Sequence, residues 1–81
     1  MDPFNLEEQY QFYLKKVGIK EEQMHIVQRV ETRRAFMAGC VQILMLFTDK
    51  IADLDENEGV EKIDSLIVQA SKFWETQEEE Y

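Results

Sequence analysis

AFMAGCVQILMLF, residues 35–47, is the stretch on which the fold turns. It carries no charge, and Gln42 is its one strongly polar side chain. Wound as a helix it is apolar nearly all round, the pattern of a helix covered on more than one side. Phe36, Cys40, Ile43, Phe47 and Ile51 recur at helical spacing as one stripe, and Met37, Val41, Leu44 and Met45 form a second. Two stripes imply two partners. At 1.5 Å per residue the run is roughly 20 Å long, and crossing a bilayer takes about 20 apolar residues, so the run reads as a helix within a protein and no membrane is expected.

Upstream the same helix changes character. Gln28, Arg29, Glu31, Thr32, Arg33 and Arg34 surround a thin apolar line of Ile26, Val27 and Val30, and no proline interrupts the chain. The spacing therefore predicts one long helix over 26–52. Within it Ala35, Ala38 and Gly39 are small residues on or near one flank. A glycine in a helix interior costs about 1 kcal/mol against alanine, so Gly39 predicts a close approach by another element, or a bend.

A first helix is expected over about 5–17. Asn5 followed by Glu8 is an amide version of the capping box, with Phe4 placed to pack back on the first turn. Leu6, Tyr10, Tyr13, Leu14 and Val17 then recur at helical spacing, and Gly18 supplies the left-handed residue that ends the helix. Residues 20–25 are expected to form a short helical turn. Downstream, Asp55 with Glu58 is a second capping box, opening a helix over 56–77 whose apolar line is Val60, Ile63, Leu66, Ile67, Ala70, Phe73 and Trp74. The acidic end, residues 78–81, is expected to fray. No window alternates apolar and polar residues between turn signals as a hairpin would. The expected fold is all-α, a small bundle of three helices in a single domain over 1–81.

Composition narrows the function. With 81 residues, 44% of them hydrophobic, the chain has the makings of one folded domain of modest stability. One cysteine rules out an internal disulfide framework and fits a reducing, cytoplasmic setting. The net charge is −8, and it is unevenly spread. From Lys15 to Arg34 six basic residues meet three acidic ones; from Thr48 to Tyr81 three basic meet eleven acidic. The average field repels nucleic acid and anionic lipid. The plain reading of the asymmetry is that basic and acidic faces of neighbouring helices neutralise one another or a symmetry mate; the functional one is a surface that steers a charged partner.

No enzyme is expected. Cys40 lies in the most apolar stretch, where a thiol is normally inert, and His25 precedes it by about 22 Å of straight helix, too far for the two to pair. The segment Asp53 to Asp64 has the opening rhythm of a calcium loop, but Glu58 stands where the turn glycine belongs and Asp64 replaces the bidentate glutamate. The capping pattern accounts for the same residues without a metal, and no cofactor is expected. Arg29, Arg33 and Arg34, within two turns of one helix, look like a recognition helix, while the rest of the chain is too acidic to support one. Glu31 sits among them.

Residues Gln28 to Gly39, the cap from Asp55 to Val60, and the terminal pair Phe73 and Trp74 together resemble a group of short uncharacterised proteins encoded by bacteriophages and by prophage-bearing bacterial genomes. The resemblance implies a phage or prophage origin and assigns no catalytic residue, cofactor or partner; a phage or host protein is a separate expectation for the partner.

The leading expectation is a non-enzymatic protein–protein interaction or assembly module of phage accessory type. Self-association into a homodimer would run through Phe36, Met37, Val41 and Leu44, because so small a chain has few means of covering an all-round apolar helix. Arg29, Glu31, Arg33 and Arg34 would contact a further partner. Two alternatives remain: an acidic inhibitor that mimics nucleic acid to block a host enzyme, and a helical nucleic-acid binder acting through the three arginines.

Overall fold

The computed structural model describes residues 2–80, with side chains described for residues 2–77. It is all-α, with three helices: α1 (Leu6–Val17), α2 (Ile26–Asp49) and α3 (Glu56–Glu80). Single 3-10 turns at Glu21–Gln23 and Ile51–Asp53 precede α2 and α3, and there is no strand among the described residues. The chain divides into two compact units, Met1–Ile43 and Leu44–Tyr81.

In the first unit Asn5 caps α1, its side-chain oxygen accepting the Glu8 N–H at 2.9 Å. The Glu8 carboxylate accepts the N–H of Asp2 at 2.7 Å, and Asp2 Oδ1 accepts the N–H of Phe4 at 2.9 Å. That turn swings Phe4 outward. Its side chain is 93% exposed, so the expected packing against the first turn does not occur. Gly18 takes φ 74, and its N–H reaches the Lys15 carbonyl while the Ile19 N–H reaches that of Leu14, the paired bonds of a Schellman ending. Any side chain at Gly18 would meet the steric cost of the left-handed region.

The chain then passes through the 3-10 turn to Met24, which is extended and buried, and to His25. His25 Nδ1 accepts the Val27 N–H at 3.2 Å and so caps α2. Tyr10, Leu14 and Met24 form the core of this unit, with Tyr13, Phe36 and Met37 packed against it. The Phe36 ring lies 5.2 Å from that of Tyr10 and 5.7 Å from that of Tyr13, both tilted. Burying a side chain such as Leu14 contributes roughly 1.5–3 kcal/mol, so these few contacts hold most of what stabilises α1.

In the second unit α2 stops at Asp49 and not at the expected residue 52. Lys50 leaves the helical region (φ −122, ψ −53) and Ile51–Asp53 tighten into the 3-10 turn. Neither proline nor glycine marks this break; packing accounts for it. Gly59, in the first turns of α3, is buried, and the Ile51 methyl Cγ2 lies 3.7 Å from where a Cβ at Gly59 would stand. The bend seats Ile51 beneath α3. Leu54 is extended, and Asp55 caps α3 by accepting the Glu58 N–H at 2.9 Å. The helix runs to Glu80, past the expected end at residue 77. Fraying at 78–81 falls where side chains, and Tyr81 altogether, lie outside the described residues. Along α3, Ile63 and Leu66 are half-buried, while Val60, Ile67, Val68, Phe73 and Trp74 are exposed.

Candidate functional site

The four charged residues expected to form one partner surface do not act alike. Arg33 turns inward within the first unit. Its guanidinium pairs with Glu7 of α1 and, at 3.1 Å, with Glu21 of the 3-10 turn. It also lies over the Tyr10 ring, 4.8 Å from the centroid, where the π face adds attraction. Gln11 closes the ring by donating to Glu7 and to Glu21, each at 3.0 Å. The Glu7 carboxyl is held below the usual range by Arg33 first and Gln11 second. The Glu21 carboxyl is lowered by the Gln11 hydrogen bond and then by Arg33, against the opposing effect of desolvation. Arg29 is engaged as well, its Nε donating to the Glu21 carbonyl at 3.1 Å.

Glu31 and Arg34 face the other way. They pair with each other at 3.2 Å, with side chains 63% and 74% exposed. The structure thus brings Arg29 and Arg33 together at Glu21 and leaves Glu31 and Arg34 as a separate outward pair. Basic and acidic residues balance inside this unit, six against six, whereas the second unit keeps eleven acidic against three basic, so the acidic stretch from Thr48 is not neutralised within its own unit.

The four apolar residues expected at a self-association face also divide. Phe36 and Met37 pack on the core of the first unit. Val41 and Leu44 are 56% and 54% exposed. The two stripes of α2 divide in a similar way. Phe36, Cys40 and Phe47, with Ile51 beyond the helix end, are half-covered, while Ile43 of the same stripe is 46% exposed. Of the second stripe only Met37 is half-covered, with Val41, Leu44 and Met45 left open. One of the two implied partners is present. A Cβ at Gly39 would meet nothing within 4 Å, and Ala35 and Ala38 are exposed, so the expected close approach is not made among the described residues.

No family model, curated protein or solved structure matches this chain.

An open groove of about 450 Å³ lies by the end of α1, with Gln11, Leu14, Lys15, Ile19, Lys20 and Glu21 among its lining residues, and it contains neither cysteine nor histidine. Asp55, the centre of the calcium-like segment, is occupied as a cap, and its carboxyl is lowered by the Glu58 backbone N–H first. Among the described residues no three His, Cys, Asp or Glu side chains gather as a metal site would require. The Tyr10 hydroxyl is buried without a hydrogen-bond partner, and desolvation pushes its phenol up. Helix α2 with the turn after it, Ile26–Asp53, is long and apolar enough by length and composition to qualify as a membrane crossing. The central helix of a soluble protein passes the same test.

Two structural roles escape a reading of the sequence. Histidine is an uncommon helix cap, so His25 carried no signal, and the burial of Gly59 under Ile51 depends on a bend that no residue type announces.

Proposed function

We propose that this chain is a non-catalytic protein-interaction module that works through apolar helix faces. The observation that carries the reading is the open second stripe of α2, Val41, Leu44 and Met45; on α3, taken by itself, Val60, Ile67, Phe73 and Trp74 are exposed as well. A run of exposed large apolar side chains along one helix of a small protein marks a place of association. The arginine surface has less to offer a partner, because Arg29 and Arg33 are engaged within the chain and Arg34 is the outward one. A cytoplasmic setting belongs to the same proposal. It is supported by the free thiol of Cys40, which fits a reducing compartment. Origin among bacteriophage accessory proteins rests on the resemblance alone.

Light scattering behind a sizing column, repeated with an apolar fluorescent dye across a concentration series, tests the reading. A chain that works through these faces either exceeds 9.7 kDa in solution or, as a monomer, binds the dye. A dye-silent particle of 9.7 kDa at every concentration has covered the faces by itself and defeats the proposal.

A second reading is favoured by the charge of the second unit, where eleven acidic residues meet three basic ones. Mimicry of nucleic acid would show as partner binding that DNA displaces and that falls steeply with salt.

A further inference from the structure

The uncovered side of α2 is more regular than two stripes suggest. Val27, Val30, Arg34, Met37, Val41 and Leu44 follow one another at alternating spacings of three and four residues. That is the repeat by which two helices pack along a common seam. All six lie on one continuous helix, and all but Met37 are exposed. On the adjoining side of the helix Phe36, Cys40 and Phe47 are already half-covered, whereas the seam is an apolar side of α2 that lacks a neighbour.

We infer that the missing neighbour is a second copy of this chain, α2 packing on α2 about a twofold axis; the inference rests on the interaction-module reading and names its partner. Exposure supports it first. Along one helix Val27, Val41 and Leu44 are 61%, 56% and 54% exposed, apolar surface that a second copy of the same helix would cover.

Charge supports it second. Between Ala35 and Phe47 there is none, and the first unit as a whole is balanced, six basic residues against six acidic. Two copies therefore meet along the middle of α2 without repulsion. A meeting through α3 would bring together two helices from the unit that carries all of the net −8. The one polar member of the seam fits the same arrangement. Arg34 pairs with Glu31 one turn back, and a twofold interface presents both residues from both copies, so each arginine keeps a carboxylate within reach. A single charged position in an apolar seam fixes register at some cost in affinity.

The test uses the full chain. Its mass is followed by light scattering over a concentration series at low and high salt, beside Val41→Asp with Leu44→Asp on α2, and Ile67→Asp on α3. These side chains are exposed, so helix content by circular dichroism is expected to be unchanged in every variant. The expected result is a dimer that high salt does not weaken. The α2 pair of substitutions weakens association roughly 100-fold, because two carboxylates would be buried without partners, and Ile67→Asp leaves the dimer intact. A dimer that survives the α2 substitutions, or that Ile67→Asp abolishes, overturns the inference while leaving an interaction module in place. A dye-binding monomer does the same. A dye-silent monomer overturns both. A monomer that partitions onto phosphatidylcholine vesicles makes lipid the occupant of the seam and likewise overturns the inference.

Discussion

Residues 21–25 and 51–55 turn the chain in the same way: three residues of 3-10 turn, an extended apolar residue, a capping side chain, and then a long helix. In the first unit the apolar residue of that corner, Met24, is buried against Tyr10 and Leu14, and Arg33 ties α2 to Glu7 and Glu21. In the second, Leu54 is half-buried, Ile51 sits beneath Gly59, and no described side chain of α3 beyond Gly59 is buried. Caps and turns set where a helix begins. They do not supply it with a core, and the unit that lacks one also carries the whole net charge.

The sharpest way to break this comparison is Leu14→Ala. Emptying the one substantial core should cost about 3 kcal/mol, seen as a lower midpoint in thermal unfolding. Hydrogen exchange should show protection lost through α1 while the amides of α3 keep theirs. Equal loss in both helices would mean one cooperative transition and remove the distinction between the units.

Acid should also act on the first unit. The Glu7 and Glu21 carboxyls are lowered in the folded state, so the stability they contribute is complete above the unfolded glutamate pKa of about 4.3 and is lost as pH falls through the lower folded values. Glu7→Gln combined with Glu21→Gln should flatten the fall of the melting midpoint between neutral pH and pH 3. An unchanged slope would place the acid sensitivity elsewhere.

Glycine replacements sharpen the comparison from the other side. At Gly59 a Cβ would meet Ile51 only at 3.7 Å, ordinary contact, and at Gly39 it would meet nothing within 4 Å. Alanine at either should therefore stabilise by up to about 1 kcal/mol through helix propensity. Gly39 lies on the side of α2 away from the Val27 to Leu44 seam, so Gly39→Ala should leave self-association unchanged; weaker association would move the interface to the small-residue flank. The smallest effect is expected from Tyr10→Phe. It removes a buried hydroxyl that has no partner and should shift stability by less than about 0.5 kcal/mol, upward if at all.

What the sequence disclosed was local chemistry. Asn5, Gly18 and Asp55 mark helix ends by mechanisms that act within a few residues, and each performs its role in the structure. What it concealed depended on distant neighbours. The 3-10 break after Asp49 follows from Ile51 finding Gly59, eight residues further on. The arginines show both sides of this. Their clustering was legible, but the inward turn of Arg33 needs Glu7, Glu21 and Tyr10, three residues that only the fold places beneath it. Likewise the two apolar stripes of α2 announced two neighbours, and nothing in the spacing said which stripe the chain would cover itself.

The bond from Arg33 to Glu7 spans 26 residues, the longest sequence separation of any described side-chain hydrogen bond. Loops that short close fast, and chains whose ties are local complete folding in microseconds to milliseconds. Pairing of two chains has to await a collision between them, so it depends on concentration and follows later. Two clocks therefore separate in a dilution-jump experiment: an early rise of helix signal at a rate indifferent to protein concentration, and a second phase whose rate climbs with it.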